Sequence, residues 1–301
     1  MKKTVTVFLA MVLLVTGLVG CGNGDDDKTG SKGTITVGAK GFSENLIVAE
    51  LYALALEDEG YTVNRQYTLN TNVLHESIVS GEIDVYPEYS GTSYLNILGL
   101  EVEFDREKVY NTVKEKYAEE FNLAVLNESE VNDTGCFVML KETADKYGIK
   151  TVSDMQKNAE NLIWGTYTAQ GSDERAEWEG FEKIYGDFNF KEIKAIDSSL
   201  SWVALDNKEV DCDEGLATQP QLLDDKYVVI EEDIPCRLPY YLYPVVRQEI
   251  IDDNSEVTDI LNNVSSYLNN DVIIQLVSKT DIDGEEYTDI AKEFYEEKIK
   301  K

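Results

Sequence analysis

The spacing of apolar residues between positions 34 and 86 alternates between two periods. Short segments that read as strands stand at Thr34–Gly38, Val63–Leu69 and Ile83–Tyr86. The segments between them, from Glu44 to about Glu59 and from Val73 to Val79, carry apolar residues at helical spacing, and a glycine follows each. This succession of strand, helix, strand, helix and strand predicts an α/β layer with a parallel sheet.

The pattern continues through the rest of the chain. Ser43 is the predicted N-cap of the first helix, and Ser153 is that of a short helix through Gln156. The other predicted elements are strands at Cys136–Leu140, Ile163–Thr166, Tyr227–Ile230 and Pro244–Val246, and helices at Glu174–Tyr185, Val257–Leu268 and Tyr287–Lys300. We expect the last two helices to pack on the sheet that the N-terminal strands form.

One stretch of the pattern occurs twice. Ser77–Val85 and Ala204–Cys212 each contain the end of an amphipathic helix, a tight turn, and then Glu, a β-branched residue and Asp entering a strand. The echo predicts two similar lobes. A cleft between lobes is a common place for a small-molecule site.

The N-terminus has the features of an export signal. Lys2 and Lys3 precede an apolar run from Val5 to Val15 that is too short to span a bilayer. Cys21 directly after Leu-Val-Gly resembles the lipobox of bacterial lipoproteins, which implies cleavage after residue 20 and a diacylglycerol on the cysteine sulfur. The alternative is an ordinary signal peptide with an incidental cysteine. Residues 22–33 contain no apolar side chain, so residues 21–33 are predicted to be a flexible linker.

The charge of the chain excludes one class of partner. Removal of residues 1–20 takes away two lysines and no acid, which leaves 25 basic against 58 acidic residues and a net charge of −33. Nucleic acid is therefore not an expected partner, because phosphate binding needs an excess of Lys and Arg. Adsorption to anionic lipid headgroups is disfavoured for the same reason.

The chain lacks the residues that several kinds of chemistry require. One histidine, His75, and no C-x-x-C pair leave too few ligands for a zinc site, so no metal is predicted. Cys212 and Cys236 could form a disulfide, or they could be buried thiols. The chain contains no phosphate-binding glycine loop and no G-x-S-x-G motif, so we predict neither a cofactor nor an enzyme.

The segment Tyr86–Thr92 is the most informative one. It follows the third strand, as Lys40 follows the first, and the carboxyl ends of parallel strands face the same crevice. Tyrosine faces attract cations, most usefully quaternary ammonium groups, which offer no hydrogen-bond donor. The alternative is that these tyrosines only pack and cap a turn.

Two motifs carry a family resemblance. Gly38–Glu44 and Gly81–Thr92, which ends in Tyr-Pro-Glu-Tyr-Ser-Gly-Thr, resemble the glycine betaine, choline and carnitine binding proteins of ABC importers. Segments at Val131–Thr134, Tyr147–Asp154 and Pro239–Arg247 extend the likeness over nearly all residues from 34 onward. The resemblance implies a two-lobed type II periplasmic-binding-protein fold of the α/β class. Lobe 1 would comprise residues 34–132 and 235–301, and lobe 2 residues 133–234, with a ligand cleft between the lobes.

The resemblance also implies a set of ligand-binding residues. In that family tyrosines of both lobes box a trimethylammonium group, while a lysine, an arginine and a threonine hold a carboxylate. Lys40, Tyr89 and Thr92 match this set in lobe 1, and Arg175 matches the lobe 2 arginine. Trp202 stands where the family has a tyrosine, and tryptophan offers the strongest face for a cation.

The chain departs from the family pattern at two positions. The run Asn132-Asp133-Thr134-Gly135 has Gly135 where the family has a cage tyrosine, with Asp133 two residues before it. Another expected tyrosine is displaced: Asp225 stands near its place and Tyr227 lies two residues on. A missing ring implies either a bulkier ligand, which is our expectation, or a side chain such as Tyr227, Trp178 or Phe137 that fills the space.

The expected protein is a lipid-anchored, monomeric solute receptor on the outer face of the cell membrane. It would bind a quaternary-ammonium compound and deliver it to an ABC permease. The alternative within the family is another amino-acid-like solute, for example ergothioneine, that uses Gly135 and Asp225. The alternative of another class is a lipoprotein enzyme or a surface adhesion module.

Overall fold

The structure is a computed structural model that describes residues 32–167 and 181–300. Residues 1–20, Cys21, Arg175 and Trp178 therefore lie outside the described part of the chain. The strands, in chain order, are β1 (Thr34–Lys40), β2 (Thr62–Leu69), β3 (Val85–Tyr89), β4 (Leu123–Val125), β5 (Gly135–Leu140), β6 (Ile163–Tyr167), β7 (Glu192–Ile196), β8 (Cys212–Leu216), β9 (Tyr227–Ile230) and β10 (Leu242–Arg247).

The helices lie between and after these strands. They are α1 (Ser43–Asp58), α2 (Thr71–Ser80), α3 (Arg106–Phe121), α4 (Lys141–Tyr147), α5 (Val152–Asn158), α6 (Ser201–Asp206), α7 (Gln248–Asp253), α8 (Glu256–Ser265), α9 (Asn270–Asp281) and α10 (Tyr287–Phe294), with a further helical segment at 181–185. Two π-helical turns follow β3 and α10, at Thr92–Ile97 and Tyr295–Ile299. None of the described helices is both long and apolar enough to cross a membrane.

The strands form two sheets with the same topology. The first has the order β2-β1-β3-β10-β4 and the second the order β7-β6-β8-β5-β9. In each sheet the first three strands are parallel, and the fourth is antiparallel to both of its neighbours. Strand β10 returns from the C-terminal part of the chain into the first sheet. The predicted two-lobed α/β class is thereby confirmed.

The sequence echo has a structural counterpart at the point where each central strand begins. The Asp84 amide donates to the carbonyl of Thr36, and the Thr36 amide donates to the Asp84 carboxylate, both at 2.8 Å. Asp211 and Ile163 make the same pair of bonds in the second sheet, also at 2.8 Å. The repeated aspartate therefore ties β3 to β1 and β8 to β6 in the same way.

Both faces of each sheet are covered by apolar side chains. One face of the first sheet packs against α1 and the C-terminal helices, through residues such as Leu51, Leu261 and Ile290. Its other face packs against α2, α3 and the first π-helical turn. The expected packing of the C-terminal helices on the first sheet is confirmed. Two further clusters cover the faces of the second sheet.

Several predicted boundaries were wrong for identifiable reasons. Ser43 is the first residue of α1 rather than its cap, and its hydroxyl donates to Asp281 at 2.5 Å. Thr151, not Ser153, caps α5 and forms a capping box with Asp154. The third strand was predicted at Ile83–Tyr86 but runs from Val85 to Tyr89, because pairing with the distant β10 extends it.

Two long helices were not predicted, and the possible disulfide is not formed. Helix α3 buries only a narrow stripe in a highly charged segment, and α9 was also missed. Cys136, Cys212 and Cys236 are all free and buried, so the thiols of the second sheet serve as small core residues.

Candidate functional site

The site begins where β1 and β3 end side by side. Val37 pairs with Val85 in the parallel ladder, so Lys40 and Tyr89 reach the same edge of the sheet. Asn45, at the start of α1, fixes this edge. Its side chain accepts from the Lys40 amide at 2.7 Å and donates to the Pro87 carbonyl at 3.0 Å. The predicted neighbourhood of Lys40 and Tyr89 is therefore present.

Lys40 already has a protein partner. Its ammonium group forms an ion pair with the carboxylate of Glu88, which is fully buried, and only 6% of Lys40 is exposed. The Nζ atom also lies 5.0 Å from the centroid of the Tyr89 ring. Lys40, in the first family motif, is thus held at the strand end by a buried acid of the second motif.

Tyr89 connects this pair to a second acid. Its hydroxyl donates to Glu44 Oε1 at 2.6 Å, and its ring stacks on that of Phe42 with the centroids 6.1 Å apart. Phe42 is 43% exposed, so one aromatic ring beside Tyr89 is accessible to solvent. Glu44 and Phe42 lie inside the first family motif, but the sequence analysis gave neither a role.

Glu44 belongs to a pair of neighbouring carboxyl groups. The Thr218 hydroxyl, which follows β8, donates to Asp133 Oδ1 at 2.6 Å and also lies close to Glu44. Burial, and then the charge of Asp133, raise the pKa of Glu44 to about 8. Burial raises the pKa of Asp133 to about 6, although the Thr218 hydroxyl and Lys40 act in the opposite direction. The pair therefore retains about one proton near neutral pH.

Thr92 begins the first π-helical turn and is nearly buried. The preceding Gly91 is required by packing, because a Cβ atom there would lie 2.6 Å from the ring of Tyr240. The Ser90 hydroxyl donates to the Pro239 carbonyl at 2.7 Å. The Tyr-Ser-Gly-Thr segment thus packs against the connection that returns from the second sheet to the first.

Gly135 does not leave an open space. A Cβ atom on Gly135 would lie 2.5 Å from Nη1 of Arg237, so the guanidinium group occupies the position where a larger side chain would begin. The side chain nearest this position is that of Arg237, rather than Phe137 or Tyr227, and Trp178 lies outside the described part of the chain. A ligand bulkier than glycine betaine stays a prediction. Tyr227 instead donates its hydroxyl to Asp206 at 2.8 Å.

Arg237 is held firmly in this position. Its side chain is 6% exposed, Nε donates to Glu232 at 2.5 Å, and Nη2 donates to Glu214 at 3.3 Å. The guanidinium also lies over the rings of Phe137 and Phe181, at 4.9 and 4.5 Å. Local sequence offered no signal for Arg237, because its partners come from three separate segments of the chain.

Two aromatic residues predicted for lobe 2 contact each other. The rings of Trp202 and Tyr227 meet edge to face, with their centroids 4.7 Å apart. Trp202 is half-buried beside Gly215. Asp225 lies exposed in the turn before β9. The structure therefore brings Lys40, Tyr89 and Asp133 together, and it brings Trp202 into contact with Tyr227.

The sequence matches a known protein family over most of its length. The family model described as the substrate binding domain of ABC-type glycine betaine transport system matches residues 33–297. The ergothioneine transport permease/ergothioneine binding protein EgtU of Helicobacter pylori is 27% identical over 87% of this chain, which spans about half (47%) of that protein. The carnitine transport binding protein OpuCC of Listeria monocytogenes is 27% identical over 88% of this chain and 86% of its own length.

A solved structure shows the same fold. The crystal structure described as that of a glycine betaine/carnitine/choline ABC transporter superposes with a TM-score of 0.81 at 23% identity. The match covers 87% of this chain and 97% of that one. This likeness shows the fold, whereas the family follows from the match of residues 33–297 to the family model.

Proposed function

Because the chain belongs to the family of substrate-binding domains of ABC-type glycine betaine transport systems, we propose that its own solute is a quaternary-ammonium compound. The observation that carries this proposal is the cluster around Tyr89. An aromatic ring there lies beside two carboxyl groups, Glu44 and Asp133, whose negative charge is offset only in part by Lys40, which is paired with Glu88. Tyrosine faces and carboxylates both attract a cation that has no proton to donate.

The charge of this cluster favours a positive group. Among its described members, the Lys40 ammonium is taken by Glu88, which leaves the two carboxyl groups of Glu44 and Asp133. Unpaired charge in a partly buried site is costly, so a cation bound there would replace the retained proton. Phe42, exposed beside Tyr89, would supply a second ring face.

We assign the other predicted residues to the same cleft as part of the proposal. Lys40, Thr92 and Arg175 would face the carboxylate of a zwitterionic solute, and Trp202 and Tyr227 would line the lobe 2 side. The lobe division at residues 133 and 235 is supported by the distribution of strands, since β5 to β9 form one sheet and β10 returns to the other. Closure of the lobes would exclude water from the charged contacts.

A second candidate solute is favoured by one observation. Arg237 brings a guanidinium group to Gly135, where a trimethylammonium cage would have a ring. An amino-acid-like solute with an additional polar group, such as ergothioneine, would find more hydrogen-bonding partners at this wall. The relative from Helicobacter pylori is named as an ergothioneine binding protein.

The cellular context is part of the same proposal. The charge and spacing of residues 1–33 support export, cleavage before Cys21 and lipid attachment there. The mature protein would then be a monomer anchored to the outer face of the cell membrane, and it would deliver its solute to an ABC permease.

A ligand screen tests the proposal. We would measure the thermal unfolding of the mature protein with glycine betaine, choline, carnitine, proline betaine and ergothioneine. A ligand at about 100 times its Kd should raise Tm by roughly 5–10 °C. The variant Tyr89→Ala is the matched control and should lose most of the shift. Recovery of the solute unchanged, by mass spectrometry, separates a receptor from an enzyme. Failure of all five ligands to raise Tm would contradict the proposal.

A further inference from the structure

A second polar cluster lies directly behind Lys40, on the other side of Glu88. Tyr86 and Glu88 project from the same face of β3, and Tyr243 of β10 is the register partner of Glu88. Tyr117 of α3 and Ser93 of the first π-helical turn cover this face. All five side chains are fully buried. We call these five residues the tyrosine chamber.

The chamber contains polar atoms that other protein groups do not satisfy. Within residues 32–167 and 181–300, the hydroxyls of Tyr86, Ser93, Tyr117 and Tyr243 and the Oε2 atom of Glu88 make no hydrogen bond of normal geometry. The groups nevertheless lie within reach of one another: the Tyr117 hydroxyl neighbours those of Tyr86 and Ser93, and the Tyr243 hydroxyl neighbours that of Ser93. Among the described residues, the Oε2 atom of Glu88 has no such hydrogen-bonding neighbour. Burial, and then the neighbouring Tyr117 hydroxyl, raise the pKa of both Tyr86 and Tyr243 well above the ordinary value, and Glu88 adds to both shifts.

Such a cluster of buried polar groups needs hydrogen-bonding partners. Buried polar groups are nearly always hydrogen-bonded, and a group of them left unpaired would strongly destabilise the fold. Four hydroxyls supply donors and acceptors, and the free carboxylate oxygen of Glu88 supplies a further acceptor. A buried water molecule makes about three hydrogen bonds, so about two molecules would satisfy all five atoms.

We propose that the tyrosine chamber is a built-in water site that connects Glu88 to the four hydroxyls. The Oε1 atom of Glu88 accepts from Lys40 and from the Tyr89 amide, while bound water donates to Oε2. Water held in this way fixes the Glu88 carboxylate, and Glu88 fixes the Lys40 ammonium at the end of β1. Tyr117 and Tyr243 are then positioning residues for Lys40. The relevance of this role to solute capture rests on the proposed function.

Removal of single hydroxyl groups tests the water site. If the Tyr117 and Tyr243 hydroxyls bind water, Tyr117→Phe and Tyr243→Phe should each lower Tm by about 2–4 °C. If the chamber is dry, the same changes remove an unsatisfied group and should leave Tm unchanged or raise it, which would overturn the proposal. Tyr52→Phe is the matched control. Tyr52 is equally buried, in the cluster on the opposite face of the first sheet, and its hydroxyl lies 3.4 Å from a protein partner, Ser265.

A high-resolution crystal structure gives a direct readout. Electron density for water within hydrogen-bonding distance of Glu88 Oε2 is the expected result. A map that shows other buried water but no density beside Glu88 Oε2 would refute the water site. A Tm that depends on sodium concentration at constant ionic strength would also refute it, because it would identify a bound cation instead.

The positioning role is tested by a measurement that general destabilisation of the fold does not change. The buried, paired ammonium of Lys40 should give a slowly exchanging signal in NMR spectra of 15N-lysine-labelled protein. Glu88→Gln should abolish this signal, and Tyr243→Phe should broaden or shift it, while Tyr52→Phe should leave it unchanged. An unchanged signal in Tyr243→Phe would refute the positioning role. None of these measurements uses a solute, so their outcome is independent of whether the proposed function is correct.

Discussion

Glu44→Gln should uncouple cation binding from pH. The amide keeps the size of the side chain and an oxygen that can accept from Tyr89, but it cannot ionise. In the parent protein the pKa values of about 8 for Glu44 and about 6 for Asp133 mean that the pair holds about one proton near pH 7. A bound cation favours the ionised pair, so this proton should be released on binding.

The size of the effect follows from these two pKa values. If binding requires both carboxylates ionised, the affinity for choline or glycine betaine should rise roughly fifty- to hundredfold between about pH 6 and about pH 8, and then level off. In Glu44→Gln only the smaller contribution of Asp133 should remain, about twofold over the same range. Above pH 8 the variant should bind roughly tenfold to hundredfold more weakly, because two unit charges about 6 Å apart at an effective dielectric constant of about 20 attract by about 3 kcal/mol, part of which desolvation offsets.

The stability of the ligand-free protein should fall as the pH rises, whereas its affinity for the cation should rise. The folded-state pKa of Glu44 is raised above the ordinary value of 4.5, so the folded state binds the proton more tightly than the unfolded state. This contribution is fully present below about pH 4.5 and is lost as the pH rises through about 8. Glu44→Gln should not lose stability in this way, so above about pH 8 it should be more stable than the parent protein.

Calorimetric titration in buffers of different ionisation enthalpy measures the released protons directly. Glu59→Gln, an exposed acid just beyond the end of the same helix, is the matched control and should behave as the parent. A parent protein whose affinity does not vary with pH and whose binding enthalpy is the same in all buffers would refute the reasoning. So would a Glu44→Gln variant that keeps the full pH dependence.

Three further predictions concern other parts of the chain. Gly135→Ala should destabilise the protein by about 1–3 kcal/mol in denaturant unfolding, because its Cβ atom would collide with the Arg237 guanidinium; the cost should shrink when Arg237→Ala is added, and two additive costs would argue against the contact. In calorimetric titrations, Trp202→Ala should weaken solute binding about five- to thirtyfold, and Trp202→Phe should weaken it much less. Tyr89→Phe should weaken binding more than Trp202→Phe does, because it removes the hydrogen-bond donor to Glu44. Cys21→Ser should leave the membrane fraction on cell fractionation, and a variant that is cleaved normally and stays membrane-bound would contradict lipid attachment.

Some site residues were predictable because they depend on local order along the chain. Lys40 and Tyr89 each stand at the end of a strand, and parallel neighbours bring their carboxyl ends to one edge of the sheet. The echo between the segments that contain Asp84 and Asp211 was also visible in the sequence. It predicted two similar lobes, and in the structure the repeated aspartate makes the same bonds in each sheet.

The amino-acid sequence by itself determined the α/β class and the two-lobed plan, since hydrophobic period and turn residues act over short distances. It also predicted that Lys40 and Tyr89 meet at one edge of a sheet. Only the tertiary structure decided the chemistry of the site. Thr218 and Asp133 are 85 residues apart, and the pairing of β5 with β8 within the second sheet brings them together. Arg237 reaches Gly135 from the returning connection and fills the space that the sequence left open. Such contacts depend on how distant segments fill a shared volume at close packing, which no local pattern encodes.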